Sequence, residues 1–513
     1  MNRVREFLVA QGIAIEGELP PQIEITEVTE DSRQCVPGSL FVALRGRDHD
    51  GHAFIEEAAR AGARAAIVMD RLERCPEGMA ILKVPDTRRI VGPLAQEVAG
   101  RPSWEMDVLG VTGTNGKTTT AYLTEAILRA AARRPALLST ITTRWPGEER
   151  PSKETTPSAT ALARLMRQMR QAGADALAME VSSHAIDQRR IDGVRFRAAA
   201  LTNVTQDHLD YHPSMEHYVA TKRALFDRMR QTWSGAIGVV NLDDPTGRAI
   251  AGALPKANRL TYAIRTSGAD LRTEAVFFGE EGTMLQLVHG SSRFTIRTPL
   301  PCLFNVQNCL AATGLALAIG LGPEAIDEGC RHFRGAPGRF EMIPADDRFK
   351  VIVDYAHTPD ALRHLLINAR TYVRRRLIVV FGCGGDRDPT KRPKMGRLAG
   401  ELADELIVTN DNPRREDPEK IVQGILEGVR SAAAGAHCRV ILDRREAIVT
   451  ALNSALEGDV VVIAGKGHEP YQILGDRTVH FDDREVVRQT LGRISPAEIA
   501  ATQRILPTPG SAA

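Results

Sequence analysis

The sequence predicts an α/β protein with mostly parallel sheets, divided into three regions. Apolar strand candidates alternate with helical stretches from Val108 onward, which is typical of a parallel sheet covered by helices. Two segments, AGRPSWEMD and FRGAPGRFEMIP, interrupt this pattern with glycine and proline. We therefore predict domains at 1–102, 103–337 and 338–503, followed by a disordered tail at 504–513.

Composition and charge are those of a soluble multidomain protein. The 513 residues carry a net charge of only +2, so the charge of the whole chain gives no reason to expect binding to nucleic acid or anionic membranes. Seven cysteines are scattered without a CxxC pair, which indicates a reducing compartment. From the sequence we expect neither a signal peptide nor a membrane span. We expect a cytoplasmic monomer that neither binds nucleic acid nor inserts into a membrane.

The first region is predicted to be a small α/β domain and the second a larger sheet. In the first, apolar runs at 38–44, 64–69 and 80–84 accompany a helix-like stretch at 53–63. In the second, strands are predicted at 175–181, 197–205 and 235–242, with an alternating, antiparallel extension at 273–298. FNVQNCLAATGLALAIG is predicted to be a helix.

The third region is predicted to be a Rossmann-like, doubly wound sheet. Its five apolar strands are placed at 351–354, 377–382, 405–409, 439–442 and 459–464. Ligands bind such sheets at the carboxyl ends of the strands. TNDNPRREDP follows the third of these strands, and Pro413 turns the chain into a loop there. Both a polar turn that caps the next helix and a clamp for a charged ligand fit this loop.

The strongest local motif is VLGVTGTNGKTTTAYLTEAIL, a strand, a glycine loop and a helix. Its glycines let successive N–H groups surround phosphate oxygens, and the helix N-terminus adds a favourable dipole. Lys117 would contact the outer phosphates and the Thr118 hydroxyl would bind Mg²⁺. Val111 stands where the general pattern opens with glycine, but the context still predicts ATP or GTP binding. The predicted nucleotide contacts are Gly113, Thr114, Asn115, Gly116, Lys117, Thr118 and Thr119.

Acidic residues and histidines at nearby strand ends predict a metal and phosphate crevice. Glu180 ends the apolar strand in ALAMEVSSH. The segment TNVTQDHLDYH contributes Asp207, His208, Asp210 and His212. Each of these side chains alone is typical of a solvated loop. At the ends of neighbouring strands in one sheet, however, they favour Mg²⁺ binding.

These motifs, in this order, resemble the Mur ligases, the ATP-dependent amino-acid-adding enzymes of bacterial peptidoglycan precursor synthesis. The matching segments are GTNGKTT, MEVSSH, TNVTQDHLDYH, HYVATKRALF, NVQNCLAA, PGRFE and DYAHTPD. DSRQCVPGSLFVALRG, GCGGDRDPTKRPKMG, DNPR and AGKGHEPYQ resemble the member that adds the third peptide residue. The resemblance implies a UDP-sugar-binding domain, a central P-loop ATPase domain and a Rossmann-like domain for the amino acid, in that order.

The resemblance also implies a reaction and its residues. ATP would phosphorylate the D-glutamate γ-carboxylate of UDP-MurNAc-L-Ala-D-Glu, and the amine of meso-2,6-diaminopimelate would then attack. The implied catalytic residues are Lys117, Lys222 and His208, and the implied Mg²⁺ ligands are Thr118, Glu180, His208 and Lys222 as a carbamate. Asn305, Arg339 and Asp354 are implied on the ATP side. By its own pattern alone, Lys222 would be a lysine on the surface of a helix.

For the sugar-peptide substrate, the resemblance implies contacts in two segments. Those on the uridine side are Ser32, Arg47, Asp48 and His49. Those further along the substrate are Thr155, Thr156, Ser182, Gln188 and Arg190. Glu154 departs from the amide that we expect at this position, so it stays outside the predicted site. Each of these polar residues also fits a turn or a helix cap.

The resemblance gives the TNDNPRREDP loop a ligand. Diaminopimelate carries an amine and a carboxylate at its far end, and the planar guanidinium of Arg414 suits that carboxylate. Asn412 would orient the ligand and Glu469 would face the distal ammonium. The predicted contacts are Arg387, Asp411, Asn412, Pro413, Arg414, Gly465 and Glu469.

Four alternatives stay open at this point. The first is the same reaction with L-lysine, which lacks the carboxylate that Arg414 would bind. The second is a folylpolyglutamate-synthase-like ligase, which would share the phosphate loop but not the uridine-side segment. The others are a non-catalytic nucleotide switch and a kinase that releases a phosphorylated product.

Overall fold

In the computed structural model, the chain forms two compact units, Met1–Arg334 and Gly335–Ala513. The structure describes residues 3–46, 49–72, 74–209, 211–279, 282–345, 348–432 and 436–492. The predicted contacts Arg47 and Asp48, the strand-end residue Asp210, and the segment 493–513 with the predicted tail lie outside the described residues. Every helix in the described part of the chain is too short or too polar to cross a membrane.

The first part of the N-terminal unit is a parallel four-stranded sheet in the order β1-β2-β3-β4. Its elements are α1 Arg3–Ala10, β1 Glu27–Thr29, β2 Ser39–Val42, α2 Ile55–Arg60, β3 Ala65–Val68, β4 Ala80–Lys83 and α3 Thr87–Val98. Helices pack on both faces, since Leu40 shares a buried cluster with Leu94 of α3 and Phe41 shares another with Ile55 of α2. The small α/β region predicted from the sequence is confirmed.

The rest of the N-terminal unit is built on an eleven-stranded sheet in the order β15-β14-β13-β12-β11-β10-β5-β9-β6-β7-β8. The strands are β5 Asp107–Thr112, β6 Pro135–Leu138, β7 Thr142–Trp145, β8 Glu148–Pro151, β9 Ala176–Glu180, β10 Phe196–Leu201, β11 Ile237–Asn241, β12 Arg259–Ala263, β13 Leu271–Gly279, β14 Gly282–His289 and β15 Ser292–Thr298. The helices are α4 Lys117–Ala130, α5 Ala159–Gln171, α6 Ser183–Asp187, α7 Met215–Thr232, α8 Pro245–Ala253, α9 Leu303–Ala318 and α10 Pro323–His332.

The strand directions in this large sheet match the prediction except at one edge, where β7 and β8 continue antiparallel from β6 and were not predicted. Strands from β12 to β6 pair in parallel, whereas β13, β14 and β15 pair antiparallel and continue the same sheet. Strand β5 lies between β10 and β9. The carboxyl ends of three parallel strands are therefore adjacent, and they carry the segments after Thr112, Glu180 and Leu201.

The C-terminal unit contains a six-stranded sheet in the order β16-β17-β21-β18-β19-β20. Its strands are β16 Glu341–Ile343, β17 Lys350–Asp354, β18 Leu377–Phe381, β19 Glu405–Val408, β20 His437–Val440 and β21 Val460–Ala464, with a separate hairpin of β22 Tyr471–Leu474 and β23 Arg477–His480. The helices are α11 Pro359–Arg370, α12 Lys391–Leu402, α13 Pro418–Arg430, α14 Arg444–Ser454 and α15 Asp483–Thr490.

The five predicted parallel strands of this sheet are confirmed, and one of them has different end residues from those predicted. The strand predicted at 439–442 begins at His437, which pairs with Glu405 at the start of β19, and ends at Val440. Because this edge strand has polar side chains and is partly exposed, an apolar pattern does not mark its first and last residues. Strand β16 and the β22–β23 hairpin are short and only partly buried, and the sequence did not predict them.

Candidate active site

The glycine loop follows strand β5 and leads directly into helix α4. Gly113 and Gly116 have φ angles of +150° and +86°, which residues with a Cβ rarely adopt. A Cβ on Gly113 would collide with the hydroxyl oxygen of Thr202, and one on Gly116 would collide with Oδ1 of Asn308. Both glycines are therefore required by close packing as well as by backbone conformation.

Residues that follow strand β10 hold this loop in place. The Thr114 N–H donates to the Asn203 carbonyl at 2.8 Å, and the Asn115 N–H donates to Asn203 Oδ1 at 3.0 Å. The Thr202 hydroxyl donates to the Asn115 carbonyl at 2.6 Å. The loop is thus fixed by the protein itself, as a preorganised phosphate cradle requires.

Two lysine side chains meet at the carbonyl oxygen of Gly113. Lys117 Nζ donates to this oxygen and to the Thr114 carbonyl, both at 2.9 Å, and Lys222 Nζ donates to the Gly113 oxygen at 2.9 Å. Lys222 is buried, contrary to the surface position that its own sequence pattern indicates. Burial lowers the pKa of Lys222 well below its usual value, the charge of Lys117 lowers it further, and Asp207 opposes both. The neutral, nucleophilic form of the amine is therefore more favoured than in an exposed lysine.

The buried carboxylate of Glu180 is the main reason to expect a cation here. It accepts hydrogen bonds from the Thr140 N–H at 2.8 Å and the Thr140 hydroxyl at 3.2 Å. Among the described residues its hydrogen-bond donors are these neutral groups of Thr140. A bound cation would compensate the cost of burying this charge.

The other predicted metal ligands lie on the two neighbouring strand ends. Thr118 is buried in the first turn of α4, and His208, after β10, has its Nε2 3.6 Å from Asp207 Oδ2. Within the described ranges, no three His, Cys, Asp or Glu side chains form a ready-made metal cluster. The hydroxyl, carboxylate and imidazole would form a set of mainly oxygen ligands, which Mg²⁺ prefers, if Lys222 were carboxylated.

Asn305, predicted on the ATP side, is connected to the glycine loop through a second asparagine. Asn305 Nδ2 donates to the Pro301 carbonyl at 2.8 Å, and its Oδ1 accepts from Asn308 Nδ2 at 3.1 Å. Asn308 is the residue that packs against Gly116. The sequence did not single out Asn308, although it lies in the NVQNCLAA segment.

Arg339 and Asp354, also predicted on the ATP side, belong to the C-terminal unit. Asp354 ends strand β17 and accepts from the N–H groups of Phe340 at 2.6 Å and Ala356 at 2.7 Å. Burial raises the pKa of Asp354, and the positive charge of Arg339 opposes this rise. The Arg339 guanidinium lies 4.7 Å from the centre of the Tyr355 ring.

A cleft of about 1510 Å³ opens in the N-terminal unit. Its lining includes the predicted contacts Ser32, His49 and Gln188, together with Glu154 and Tyr211. Most small-molecule pockets measure about 300–1,000 Å³, so this cleft is large enough for an extended ligand.

Arg190 joins several residues of the predicted peptide side. Its Nε and Nη2 donate to Gln188 Oε1 at 3.0 and 2.9 Å, and its Nη1 donates to the Thr156 carbonyl at 2.9 Å. The same Nη1 donates to Glu154 Oε2 at 2.8 Å. Glu154 thus contacts a residue of the predicted site, although the sequence prediction left Glu154 out of that site. The only sequence feature that marked Glu154 was its departure from the expected amide.

Thr155, Thr156 and Ser182 surround the end of strand β9. The Thr156 hydroxyl donates to the Glu180 carbonyl at 2.9 Å and accepts from the Ser182 N–H at 3.1 Å. The hydroxyls of Thr155 and Thr140 lie 3.1 Å apart. Ser182 also caps helix α6, which is the alternative role that the sequence allowed for it.

The loop after strand β19 is tied to the β22–β23 hairpin. Arg414 has a φ of +52°, its N–H donates to the Ile473 carbonyl at 3.1 Å, and its Nη1 donates to the Gly385 carbonyl at 2.7 Å. Asn412 Oδ1 accepts from the Ile473 N–H at 3.0 Å. These contacts with the hairpin give the loop a defined conformation. The hairpin itself was not predicted from the sequence.

Asn412 of this loop contacts Glu469, which lies in the segment after strand β21. Asn412 Nδ2 donates to Glu469 Oε2 at 3.0 Å, Lys466 Nζ lies 3.3 Å from the same oxygen, and the Tyr355 hydroxyl donates to Glu469 Oε1 at 3.2 Å. Lys466 is fully buried and also lies 3.3 Å from Asn412 Oδ1. The sequence did not predict roles for Tyr355 and Lys466.

The remaining predicted contacts differ in exposure. Asp411 is buried beside Gly465, whose φ is +115° and where a Cβ would collide with the Asp411 carboxylate. Pro413 is buried in the loop. Arg387 is exposed in the segment that follows strand β18.

Three known domain families match this chain in consecutive segments. They are the Mur ligase family catalytic domain at residues 24–98, the Mur ligase middle domain at 111–316, and the Mur ligase glutamate ligase domain at 338–467. The chain belongs to the Mur ligase family. The resemblance that the sequence motifs predicted is confirmed, and so is the α/β fold class with three Mur ligase domains.

Relatives of this Mur ligase resemble it along nearly its whole length. A protein from Gloeobacter violaceus named UDP-N-acetylmuramoyl-L-alanyl-D-glutamate–2,6-diaminopimelate ligase is 45% identical over 492 residues, 96% of this chain and 98% of its own. A protein of the same name from Bacillus licheniformis is 42% identical over 91% of this chain and 95% of its own. A solved structure of an enzyme with that name superposes with a TM-score of 0.70 at 33% identity, covering 95% of this chain and 98% of its own.

Proposed function

We propose that this Mur ligase joins meso-2,6-diaminopimelate to the D-glutamate γ-carboxylate of UDP-MurNAc-L-Ala-D-Glu, with conversion of ATP to ADP and phosphate. The observation that carries the proposal is the pair of neighbouring loops in which Arg414 and Asn412, after β19, and Glu469, after β21, offer a guanidinium, an amide and a carboxylate at the end of a Rossmann-like sheet. Relatives at 42–45% identity that bear the name of this activity support it.

The chemistry begins with a carboxylate, which is a poor electrophile. Transfer of the γ-phosphoryl group of ATP to a γ-carboxylate oxygen gives an acyl phosphate and releases ADP. The amine of the incoming amino acid attacks the carbonyl carbon and loses a proton, and the tetrahedral intermediate then expels phosphate. One carboxylate oxygen therefore leaves with the phosphate.

Positioning and positive charge are what the protein contributes to phosphoryl transfer. The glycine loop would hold the phosphates with its N–H groups, and Lys117 would move from the loop carbonyls to the outer phosphates. Thr118, Glu180, His208 and a carboxylated Lys222 would hold Mg²⁺. The cation would neutralise charge on the phosphoryl oxygens. Asn305, Arg339 and Asp354 would complete the ATP side.

Selection of the amino acid rests on its distal end. Arg414 would bind the distal carboxylate, for which a planar guanidinium is suited, and Glu469 would face the distal ammonium. Asn412 would orient the bound amino acid through its contact with Glu469. L-Lysine lacks the distal carboxylate and would leave a partly desolvated guanidinium without its partner.

The large cleft of the N-terminal unit would take the sugar-peptide substrate. Ser32 and His49 would lie on the uridine side, and Gln188 would lie further along. Thr155, Thr156, Ser182 and Arg190 would hold the peptide near Glu180, around which they lie. We place the reaction in the cytoplasm, where a nucleotide-linked precursor and ATP are both present, and propose that the enzyme acts as a monomer.

The test is phosphate release from ATP with UDP-MurNAc-L-Ala-D-Glu and either meso-diaminopimelate or L-lysine. We expect rapid release with meso-diaminopimelate and a kcat/KM for L-lysine that is lower by roughly 10⁴-fold. Equal values for the two amino acids would overturn the choice of amino acid. Turnover only with a folate acceptor and glutamate would instead assign a folylpolyglutamate-synthase-like activity.

A further inference from the structure

A buried ion pair lies beneath the loop that carries Asn412 and Arg414. Arg444, the first residue of helix α14, donates from Nε to Asp483 Oδ1 at 2.8 Å and from Nη2 to Asp483 Oδ2 at 2.7 Å. Both side chains are completely shielded from solvent. Such a pair is costly to bury, and it adds little net stability by itself.

The same guanidinium binds two strand ends. Arg444 Nη1 donates to the Asn410 carbonyl at 3.2 Å, and Nη2 donates to the Ala464 carbonyl at 3.0 Å. Asn410 lies two residues after strand β19, and Ala464 is the last residue of strand β21. The residues that follow them are the two halves of the proposed diaminopimelate site, 411–414 and 465–469.

From these contacts we propose that Arg444 is a positioning residue for the diaminopimelate site. Its planar guanidinium fixes the spacing between the Asn412–Arg414 loop and the Gly465–Glu469 loop, and Asp483 fixes the guanidinium. The inference rests on the proposed function, because it assumes that both loops bind the amino acid. A lysine at 444 keeps the charge but cannot bond both carbonyls and both carboxylate oxygens from one rigid group.

A second arginine in the same sheet provides a matched control. Arg376 precedes strand β18 and donates from Nη2 to Asp459 Oδ2 at 2.6 Å, and Asp459 directly precedes strand β21. Arg376 Nη1 also bonds Glu405, the first residue of β19. This arginine therefore ties β19 and β21 at their amino ends, away from both loops.

The experiment compares Arg444→Lys and Arg376→Lys with the unmodified full chain in steady-state kinetics and thermal unfolding. We expect Arg444→Lys to raise KM for meso-diaminopimelate by about 10- to 100-fold, since small displacements of binding groups have effects of this size. KM for ATP and for UDP-MurNAc-L-Ala-D-Glu should change little. Arg376→Lys should lower the melting temperature without raising KM for diaminopimelate. An unchanged KM in Arg444→Lys, or an equal rise in both variants, would overturn the proposal.

A second variant separates loop positioning from stability. Asp483→Asn removes the carboxylate charge but leaves the guanidinium bonds to Asn410 and Ala464 available. It should raise KM for diaminopimelate less than Arg444→Lys does, even where it lowers the melting temperature as much. A larger rise in Asp483→Asn would contradict a positioning role for the carbonyl bonds.

Amide hydrogen exchange gives a readout that needs no substrate. Exchange in 410–414 and 465–469 should be faster in Arg444→Lys than in Arg376→Lys, and equal rates would overturn the inference. If the unmodified chain showed no diaminopimelate-dependent turnover, the proposed function would fail. If turnover were normal and Arg444→Lys left KM and exchange unchanged, only the inference about Arg444 would fail.

Discussion

At the scale of single residues, two adjacent arginines differ in environment. Arg414 has a φ of +52° and donates to the Gly385 carbonyl, whereas the side chain of Arg415 is 80% exposed and lies 3.5 Å from Asp386. We expect Arg414→Ala to lose most of a preference of roughly 10⁴-fold for meso-diaminopimelate over L-lysine, because it removes the group that binds the distal carboxylate. Measurement of kcat/KM for both amino acids checks this.

Arg415→Ala is the matched control for this substitution. It removes the same type of side chain from the next position, and it should keep the preference. Retention of the preference in Arg414→Ala, or an equal loss in both variants, would mean that another group recognises the distal carboxylate.

Lys222 gives a prediction that depends on pH. While Lys222 is not carboxylated, its pKa is depressed in the folded chain, so between that depressed pKa and the usual value of 10.5 the unfolded chain binds more protons than the folded chain at this position. The free energy of unfolding of the uncarboxylated chain should therefore rise with pH across this interval and level off above about 10.5. Lys222→Met should lose this rise and also lose ligase activity. Denaturant unfolding across the pH range, with phosphate release in parallel, measures both effects.

The control for Lys222→Met is Lys256→Met, which removes an exposed lysine from the same unit. It should keep both the activity and the pH dependence of the unmodified chain. Full activity in Lys222→Met would exclude Lys222 from the catalytic machinery.

Two residues whose roles were not predicted from the sequence have partners that are distant along the chain. Tyr355 bonds Glu469 across 114 positions, and Lys466 contacts Asn412 across 54. No local pattern marks such pairs, whereas the glycine loop is predictable because its strand, glycines and helix are contiguous. Lys222 was assigned through the family resemblance, since its burial depends on tertiary packing.

At the scale of secondary structure, the turn between β5 and α4 is the most constrained element of the proposed site. Gly116 has a φ of +86°, and a Cβ there would collide with Asn308. We expect Gly116→Ala to weaken ATP binding by roughly 100-fold, because the loop must shift away from Asn308. Isothermal titration with ATP and Mg²⁺ measures the change.

Gly147 provides the control for this turn. It has a similar φ of +89° in the β7–β8 connection, and a Cβ there would have no neighbour within 4 Å. Gly147→Ala should therefore carry the same backbone cost of about 1–2 kcal/mol without loss of ATP affinity. Equal weakening in both variants would assign the effect to backbone strain instead of the contact with Asn308.

The elements that the sequence predicted well are long, buried and apolar. Strands β18 and β21 consist of five buried residues each, and their predicted and observed positions agree within one residue. Strand β16 and the β22–β23 hairpin escaped prediction because they have three or four residues each and are partly exposed. The hairpin nevertheless supports Arg414 and Asn412, so part of the proposed site depends on an element with almost no sequence signal.

At the scale of the whole molecule, the proposed functions divide between the two compact units. The glycine loop, Glu180 and Lys222 belong to the N-terminal unit, whereas Arg414 and Glu469 belong to the C-terminal unit. One unit would activate a carboxylate and the other would supply the amine. Both must act in one turnover for an amide to form, so ATP consumption and amide formation should occur in equal amounts.

The central claim is that this Mur ligase activates the γ-carboxylate as an acyl phosphate before the amine attacks. The most direct measurement labels the γ-carboxylate oxygens of UDP-MurNAc-L-Ala-D-Glu with a heavy oxygen isotope and follows a reaction with ATP and meso-diaminopimelate by mass spectrometry. We predict that each molecule of phosphate released carries one labelled oxygen and that one amide product forms with it. Phosphate without the label, released while the amide accumulates, would contradict activation through an acyl phosphate.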